Sequence, residues 1–153
     1  MKRMHVHLSV ENLNQNIDFY STMFGCAPTL QHDDYAKWML DDPRVNFAIS
    51  NRTSKTGLDH LGIQAENDSE LQDIKKSLDA TQKPIEAQEE TSCCYSRSDK
   101  YWITDPQGIA WESFHSLSEI PTFNEDKPAS NENNSACCPG DDNSATTSSS
   151  SCC

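Results

Sequence analysis

Two histidines, one glutamate and a pair of neighbouring cysteines hold the chemistry that this sequence can offer. His5 opens the run "HVHLSVENLNQNIDFYSTMFG" and His60 opens "HLGIQAENDSELQDIKKSLDA"; both reach a Glu-Asn pair at the same distance, Glu11-Asn12 and Glu66-Asn67. The two histidines therefore occupy matching positions of a repeat whose offset is fifty-five residues. Glu112 sits among Ile109, Trp111 and Phe114, where burying an unpaired carboxylate is costly and a bound cation removes that cost. Two imidazoles and one carboxylate that leave other positions open form the donor set of non-haem Fe(II) oxygen chemistry, and Mn, Co, Ni or Zn can also occupy it. A single strand histidine is more often structural than metal-binding, so the case for His5 and His60 rests on their equivalence and on Glu112. His7 shares the face of His5 and competes with it, while His32 and His115 read as surface residues.

The seven cysteines comprise Cys26 and three adjacent pairs, Cys93-Cys94, Cys137-Cys138 and Cys152-Cys153. Sequence neighbours cannot staple distant segments, so reduced thiols that bind something soft are the better reading. Cys93 and Cys94, in "TSCCYSRSDKYW", offer a bidentate soft site. Trivalent arsenic is such a ligand, because it exchanges oxygen for thiolate and can bridge two sulfurs. Arg97 and Lys100 stand close enough in sequence to favour the thiolate form, and Lys100 and Tyr95 are candidate supporting groups. The other two pairs could deliver arsenic to the site or hold the product, since a tethered segment works at high effective concentration.

These groups need elements to hold them. In each repeat, apolar and polar residues first alternate with period two (Val6, Leu8 and Val10; Leu61, Ile63 and Ala65), which predicts a half-buried strand. A helical spacing follows, Leu13, Ile17, Tyr20 and Phe24 ended by Gly25, then Leu71, Ile74 and Leu78, with Asn12 and Asp68 as expected N-caps. "AKWMLDDPRVNFAIS" and "KYWITDPQGIAWESFH" each place a Trp before a Pro-containing turn and a returning strand, which predicts a hairpin. The fold class is α+β: two βαβββ modules, residues 1–55 and 56–118, whose incomplete sheets face each other as a half-barrel pair around a metal cavity. Between the modules the offset grows to sixty-four residues at the final strands, so module two carries about nine extra residues within "PIEAQEETSCCYSRSDKYW". An added loop at a cavity mouth is a usual place for substrate-specific groups.

Residues 119–153 are rich in Ser, Asn, Asp and Glu and poor in apolar groups, which predicts a disordered tail. The whole chain has 153 residues and a formal charge of −12, from 24 acidic and 12 basic side chains. That balance argues against nucleic-acid and anionic-membrane partners, which need a basic footprint. With neither a signal-like apolar run nor a membrane-spanning one, the expectation is a cytoplasmic protein.

"HVHLSVENLNQNIDFYSTMFG", "LDHLGI" and "DPQGIAWESF" resemble the opening, second-module histidine and terminal glutamate strand of the vicinal oxygen chelate superfamily, which includes glyoxalase I, bleomycin-resistance proteins, fosfomycin-resistance transferases and extradiol dioxygenases. The superfamily pattern His-x-x-Leu-x-Val selects His5 over His7 as first ligand. "TSCCYSRSDKYWITDPQGIAWE" is similar to one branch, the carbon–arsenic lyases, also known as cadmium-induced proteins. That resemblance implies an Fe(II)-dependent dioxygenase that cleaves the carbon–arsenic bond of methylarsenite and aromatic arsenicals and releases arsenite, with O2 as co-substrate. The superfamily resemblance implies metal ligands His5, His60 and Glu112, and the lyase resemblance a substrate anchor at Cys93 and Cys94. Two other readings stand beside it: a glyoxalase- or fosfomycin-resistance-like metalloenzyme, and a non-catalytic cadmium or arsenite binder. Glyoxalases use a second metal-bound glutamate, and the matching position here is Ala48. A binder has no need of the triad. Monomer and homodimer, with a site inside one chain or shared between two, are both compatible with the pattern.

Overall fold

The computed structural model describes residues 1–93 and 95–119, and only the backbone of Glu90, Ser92, Cys93 and Glu119. Cys94, the tail and its pairs Cys137-Cys138 and Cys152-Cys153 lie outside the described residues. The elements follow the order β1 (Arg3–Ser9), α1 (Leu13–Phe24), β2 (Leu30–His32), β3 (Tyr35–Asp41), β4 (Arg44–Ser50), β5 (Gly57–Ala65), α2 (Asp68–Asp79), β6 (Glu86–Cys93), β7 (Ser96–Thr104) and β8 (Ala110–Glu119). This is βαβββ twice, as the repeat predicts.

The strands form one eight-stranded mixed sheet in the order β2-β3-β4-β1-β5-β8-β7-β6. The order is palindromic in module terms: β1 pairs parallel with β4, β5 pairs parallel with β8, and β1 meets β5 antiparallel at the centre. The repeat predicts two sheets that face each other; in the structure their opening strands hydrogen-bond into one. The continuous sheet still encloses a space because it curls. Tyr95, in the β6–β7 turn, stacks on His32 of β2 at a centroid separation of 3.5 Å, although these strands are the two ends of the strand order.

Both helices pack on the outer face. α1 buries Leu13 and Ile17 against Ala36, Trp38, Phe47 and Ile49, and α2 buries Leu71 and Ile74 against Ala65 and Tyr101. Each fully buried large aliphatic side chain contributes about 1.5–3 kcal/mol. The repeated Glu-Asn pair proves to be the helix start. Asn12 Oδ1 accepts from the Gln15 N–H at 3.0 Å, and Asn67 Oδ1 accepts from the Glu70 N–H at 2.9 Å. Asn67 thus replaces Asp68 as the second cap, and Asp68 takes a first-turn position where its charge favours the helix dipole. Gly25 ends α1 with a φ of 69°, in the left-handed region that glycine enters freely.

The extra residues of module two are strand rather than loop. β6 has eight residues where β2 has three, and β7 and β8 have nine and ten where β3 and β4 have seven. Residues added to both sides of a hairpin keep pairing, so the insertion becomes a longer arm that carries Cys93 at its end.

Candidate metal centre and its surroundings

On β1, Val6 and Leu8 point to the helix layer, and His5, His7 and Ser9 point to the concave face. A polar strand face is normally solvated, but here the curl buries it, and these three side chains are among the buried polar groups. His5 and His7 open onto a cleft whose walls include Tyr35 and Lys37 of β3, Ser98 and Lys100 of β7, and Glu112 of β8.

His5, His60 and Glu112 meet there. His5 Nε2 lies 3.1 Å from His60 Nε2, 3.7 Å from Glu112 Oε2, and the His60 Nε2–Glu112 Oε2 distance is 3.5 Å. Ligand atoms bound to one divalent ion at about 2.0–2.2 Å and at right angles stand about 3 Å apart, so this donor set fits a small divalent cation. The second nitrogen of each ring is committed. His5 Nδ1 donates to the Asn46 carbonyl at 3.0 Å, and His60 Nδ1 donates to Asp59 Oδ1 at 2.6 Å. Both partners accept, so each Nε2 faces the centre. Phe114 packs edge-on against His5 and Trp102 against His60, which holds the ring planes.

Glu112 keeps its other oxygen on Lys100: Nζ donates to Oε1 at 2.7 Å, with both side chains nearly fully buried. The sequence suggests a supporting role for Lys100 near the thiols, and in the structure its partner is the carboxylate. Burial alone would raise the Glu112 pKa, but the charges of Lys100 and His60 hold it well below the usual carboxylate range. The two histidines diverge. Burial and the neighbouring His60 charge push His5 down to about 4. Burial also opposes His60, yet hydrogen bonds and charge from Asp59 and Glu112 outweigh it and raise His60 to about 9. His60 therefore takes up a proton more readily than His5, and a protonated His60 would direct its Nε2–H between His5 Nε2 and Glu112 Oε2.

Gly62 makes room for this contact. A Cβ added there would stand 2.2 Å from the Glu112 carbonyl oxygen, so β5 and β8 reach this separation only with glycine. The register places Gly62 opposite Glu112 just as His7 stands opposite Ala48 in module one. The sixty-four-residue equivalence of Ala48 and Glu112 is therefore built into the pairing.

His7 takes another role. Its Nε2 meets Ser50 Oγ at 3.0 Å and its Nδ1 lies 3.9 Å from Asp59 Oδ1. His7, Asp59 and His60 do form a second cluster of metal-type donors, but His60 Nδ1 and Asp59 are already hydrogen-bonded within it.

Tyr95 leaves the metal donors and reaches module one. Its hydroxyl donates to Asp34 Oδ1 at 2.7 Å, its ring stacks on His32, and the Arg52 guanidinium lies 5.4 Å from the ring centroid. His32, read from the sequence as a surface residue, is the stacking platform. Tyr95 has a φ of 61°, rare for a bulky residue, and these contacts hold it there. Cys93 ends β6 opposite Ser96, and Ser96 borders the cleft. Asp59 escaped the sequence reading, although an acid immediately before His60, where module one has Met4, was the available signal.

The family model of the Glyoxalase/Bleomycin resistance protein/Dioxygenase superfamily matches residues 2–113. The chain belongs to this superfamily. Within it, the chain is 40% identical over 124 residues to the "Trivalent organoarsenical cleaving enzyme" of Bacillus sp. (strain MD1), covering 78% of this chain and 76% of that one. It is 30% identical over 116 residues to the protein of the same name from Thermomonospora curvata, covering 74% and 77% respectively. Among solved structures, the 2,3-dioxygenase LapB from Pseudomonas sp. KL28 superposes with a TM-score of 0.59 at 18% identity, over 77% of this chain and 42% of that one, a likeness of fold. The superfamily assignment agrees with the α+β architecture and the repeated modules. No helix among the described residues is long and apolar enough to cross a membrane.

Proposed function

We propose that this protein is an Fe(II)-dependent, O2-using lyase that cleaves the carbon–arsenic bond of trivalent organoarsenicals, methylarsenite and aromatic arsenicals, and releases arsenite as a detoxification step in the reducing cytoplasm. The observation that carries the reading is the convergence of His5 Nε2, His60 Nε2 and Glu112 Oε2 in a buried cleft bordered by Ser96, the register partner of Cys93. The names of the relatives point to the same substrate class.

In this reading the two modules frame one metal cavity within a single chain, with His5, His60 and Glu112 as ligands. Bound Fe(II) supplies open coordination positions at which O2 is activated. The chain's own groups do the rest. Cys93 and Cys94 exchange their thiol protons for arsenic, which loses its two hydroxyls as water, and the organic substituent is thereby held over the cleft. Holding it there converts an encounter into an intramolecular step, the main catalytic contribution of the β6–β7 arm. Lys100 occupies Glu112 Oε1 and leaves Oε2 for the ion. Tyr95 fixes the arm to Asp34 and His32.

The test is anaerobic reconstitution with Fe(II), followed by air and methylarsenite. Arsenite release is expected from wild type and not from the Cys93→Ser, Cys94→Ser double variant. Release that persists in that variant removes the thiols as anchor, and binding of arsenite or cadmium without any release by wild type supports the sequestering reading. Ala48, fully buried where a glyoxalase-type second carboxylate would stand, argues against an isomerase.

A further inference from the structure

We propose that Asp59 is a positioning residue for the metal centre, which fixes the ring of His60 and strengthens it as a ligand. The inference rests on the metal-site reading given above. Asp59 neighbours His60, and in a regular strand neighbouring side chains point to opposite faces. Here the β1–β5 register slips between His7 and Leu8: His7 faces His60, Leu8 faces Leu58, and Asp59 is the extra residue. A bulge of this kind re-aims a side chain. It turns Asp59 onto the concave face beside its neighbour, where Oδ1 accepts from His60 Nδ1 at 2.6 Å and Oδ2 accepts from Ser9 Oγ at 3.2 Å. Thr53 Oγ1 in turn donates to Ser9 Oγ at 2.9 Å, so the carboxylate is held from behind by two residues of module one.

The arrangement is specific to one half of the repeat. The counterpart of Asp59 is Met4, which pairs in regular register with Val45 and Ile63 and is exposed. His5 is backed by the Asn46 carbonyl, a neutral acceptor, whereas His60 is backed by a carboxylate. A carboxylate behind the Nδ1–H makes Nε2 a more basic donor and restricts ring rotation, and loss of such a partner lowers metal affinity roughly 10- to 100-fold.

The experiment compares wild type with Asp59→Asn, Asp59→Glu, Ser9→Ala, His60→Ala and Glu112→Ala. Fe(II) affinity is measured anaerobically by competition titration, and the ligand-field spectrum is recorded with Co(II) in its place. The expected results are a loss of roughly 10- to 100-fold in Asp59→Asn with a shifted Co(II) spectrum, partial recovery in Asp59→Glu, and a several-fold loss in Ser9→Ala. The last variant keeps the question decidable if Asp59→Asn fails to fold. Wild-type affinity and an unshifted spectrum in Asp59→Asn, or in Ser9→Ala where the former does not fold, overturn the inference. If His60→Ala and Glu112→Ala also bind as wild type does, the metal-site reading falls with it; if they lose the metal, only the role of Asp59 falls.

Discussion

His5 Nε2 and His60 Nε2 stand 3.1 Å apart although 55 residues separate them in the chain. Side by side, two imidazoles with ordinary pKa values would both be partly protonated near neutrality and would repel. The structure avoids this by splitting them, one down to about 4 and the other up to about 9.

That split predicts proton-coupled metal binding. Between pH 6 and 8, His5 is already neutral and His60 must give up its proton, so about one proton leaves per ion bound. Apparent affinity rises about tenfold per pH unit in this window and levels off above the His60 value of about 9. Calorimetry in buffers of different ionisation enthalpy measures the proton count.

The opposite trend is expected for the stability of the metal-free protein. Because the folded-state pKa of His60 is raised, its contribution is fully present below its unfolded value and is lost as pH rises from about 6.5 towards about 9. Glu112, depressed when folded, contributes above its ordinary range, and that contribution is lost as pH falls. Urea titrations of the metal-free protein across pH should fall away on both sides of the neutral region, and His60→Ala should remove the alkaline limb.

Lys100→Met strands Glu112 as a buried carboxylate without its closest cation. The expected cost in the metal-free protein is about 3–5 kcal/mol at pH 7, with part recovered on adding a divalent ion that takes over the charge. Denaturant unfolding with and without metal checks both statements.

Gly62→Ala pushes a methyl into the Glu112 carbonyl, and β5 and β8 must part to admit it. A destabilisation of about 1–3 kcal/mol is expected, with weakened metal binding even though no ligand has changed. Thermal unfolding and metal titration of the same sample measure the two effects together.

Tyr95→Gly separates strain from anchoring. Glycine accepts a φ of 61° without strain but loses the Asp34 hydrogen bond and the His32 stack. Faster amide exchange across the tip of the β6–β7 arm is expected, with exchange around His5 and His60 unchanged; mass-spectrometric hydrogen exchange reads both regions.

Much of the site was legible because duplication writes the same phrase twice. His5 with His60 and Asn12 with Asn67 stand at one offset, and the second pair decides the cap that sequence alone placed one residue late, at Asp68. What periodicity could not show was how the modules join. Alternation in Val6, Leu8 and Val10 is the same whether β1 ends a sheet or sits at its centre, so the β1–β5 seam was invisible. The pairing of Lys100 with Glu112, and Asp59 altogether, were hidden for another reason. A charged residue in a strand reads as solvent-facing until the curl that buries it is known, and the bulge that turns Asp59 inward breaks the very pattern from which facing is inferred.

The place of Glu112 in the last strand bears on the order of biosynthesis. His5 leaves the ribosome first, His60 midway, and the carboxylate only after the seven strands before β8 have been made. A nascent chain therefore lacks the full donor set until β8 emerges, so capture of one ion by all three groups must await that strand.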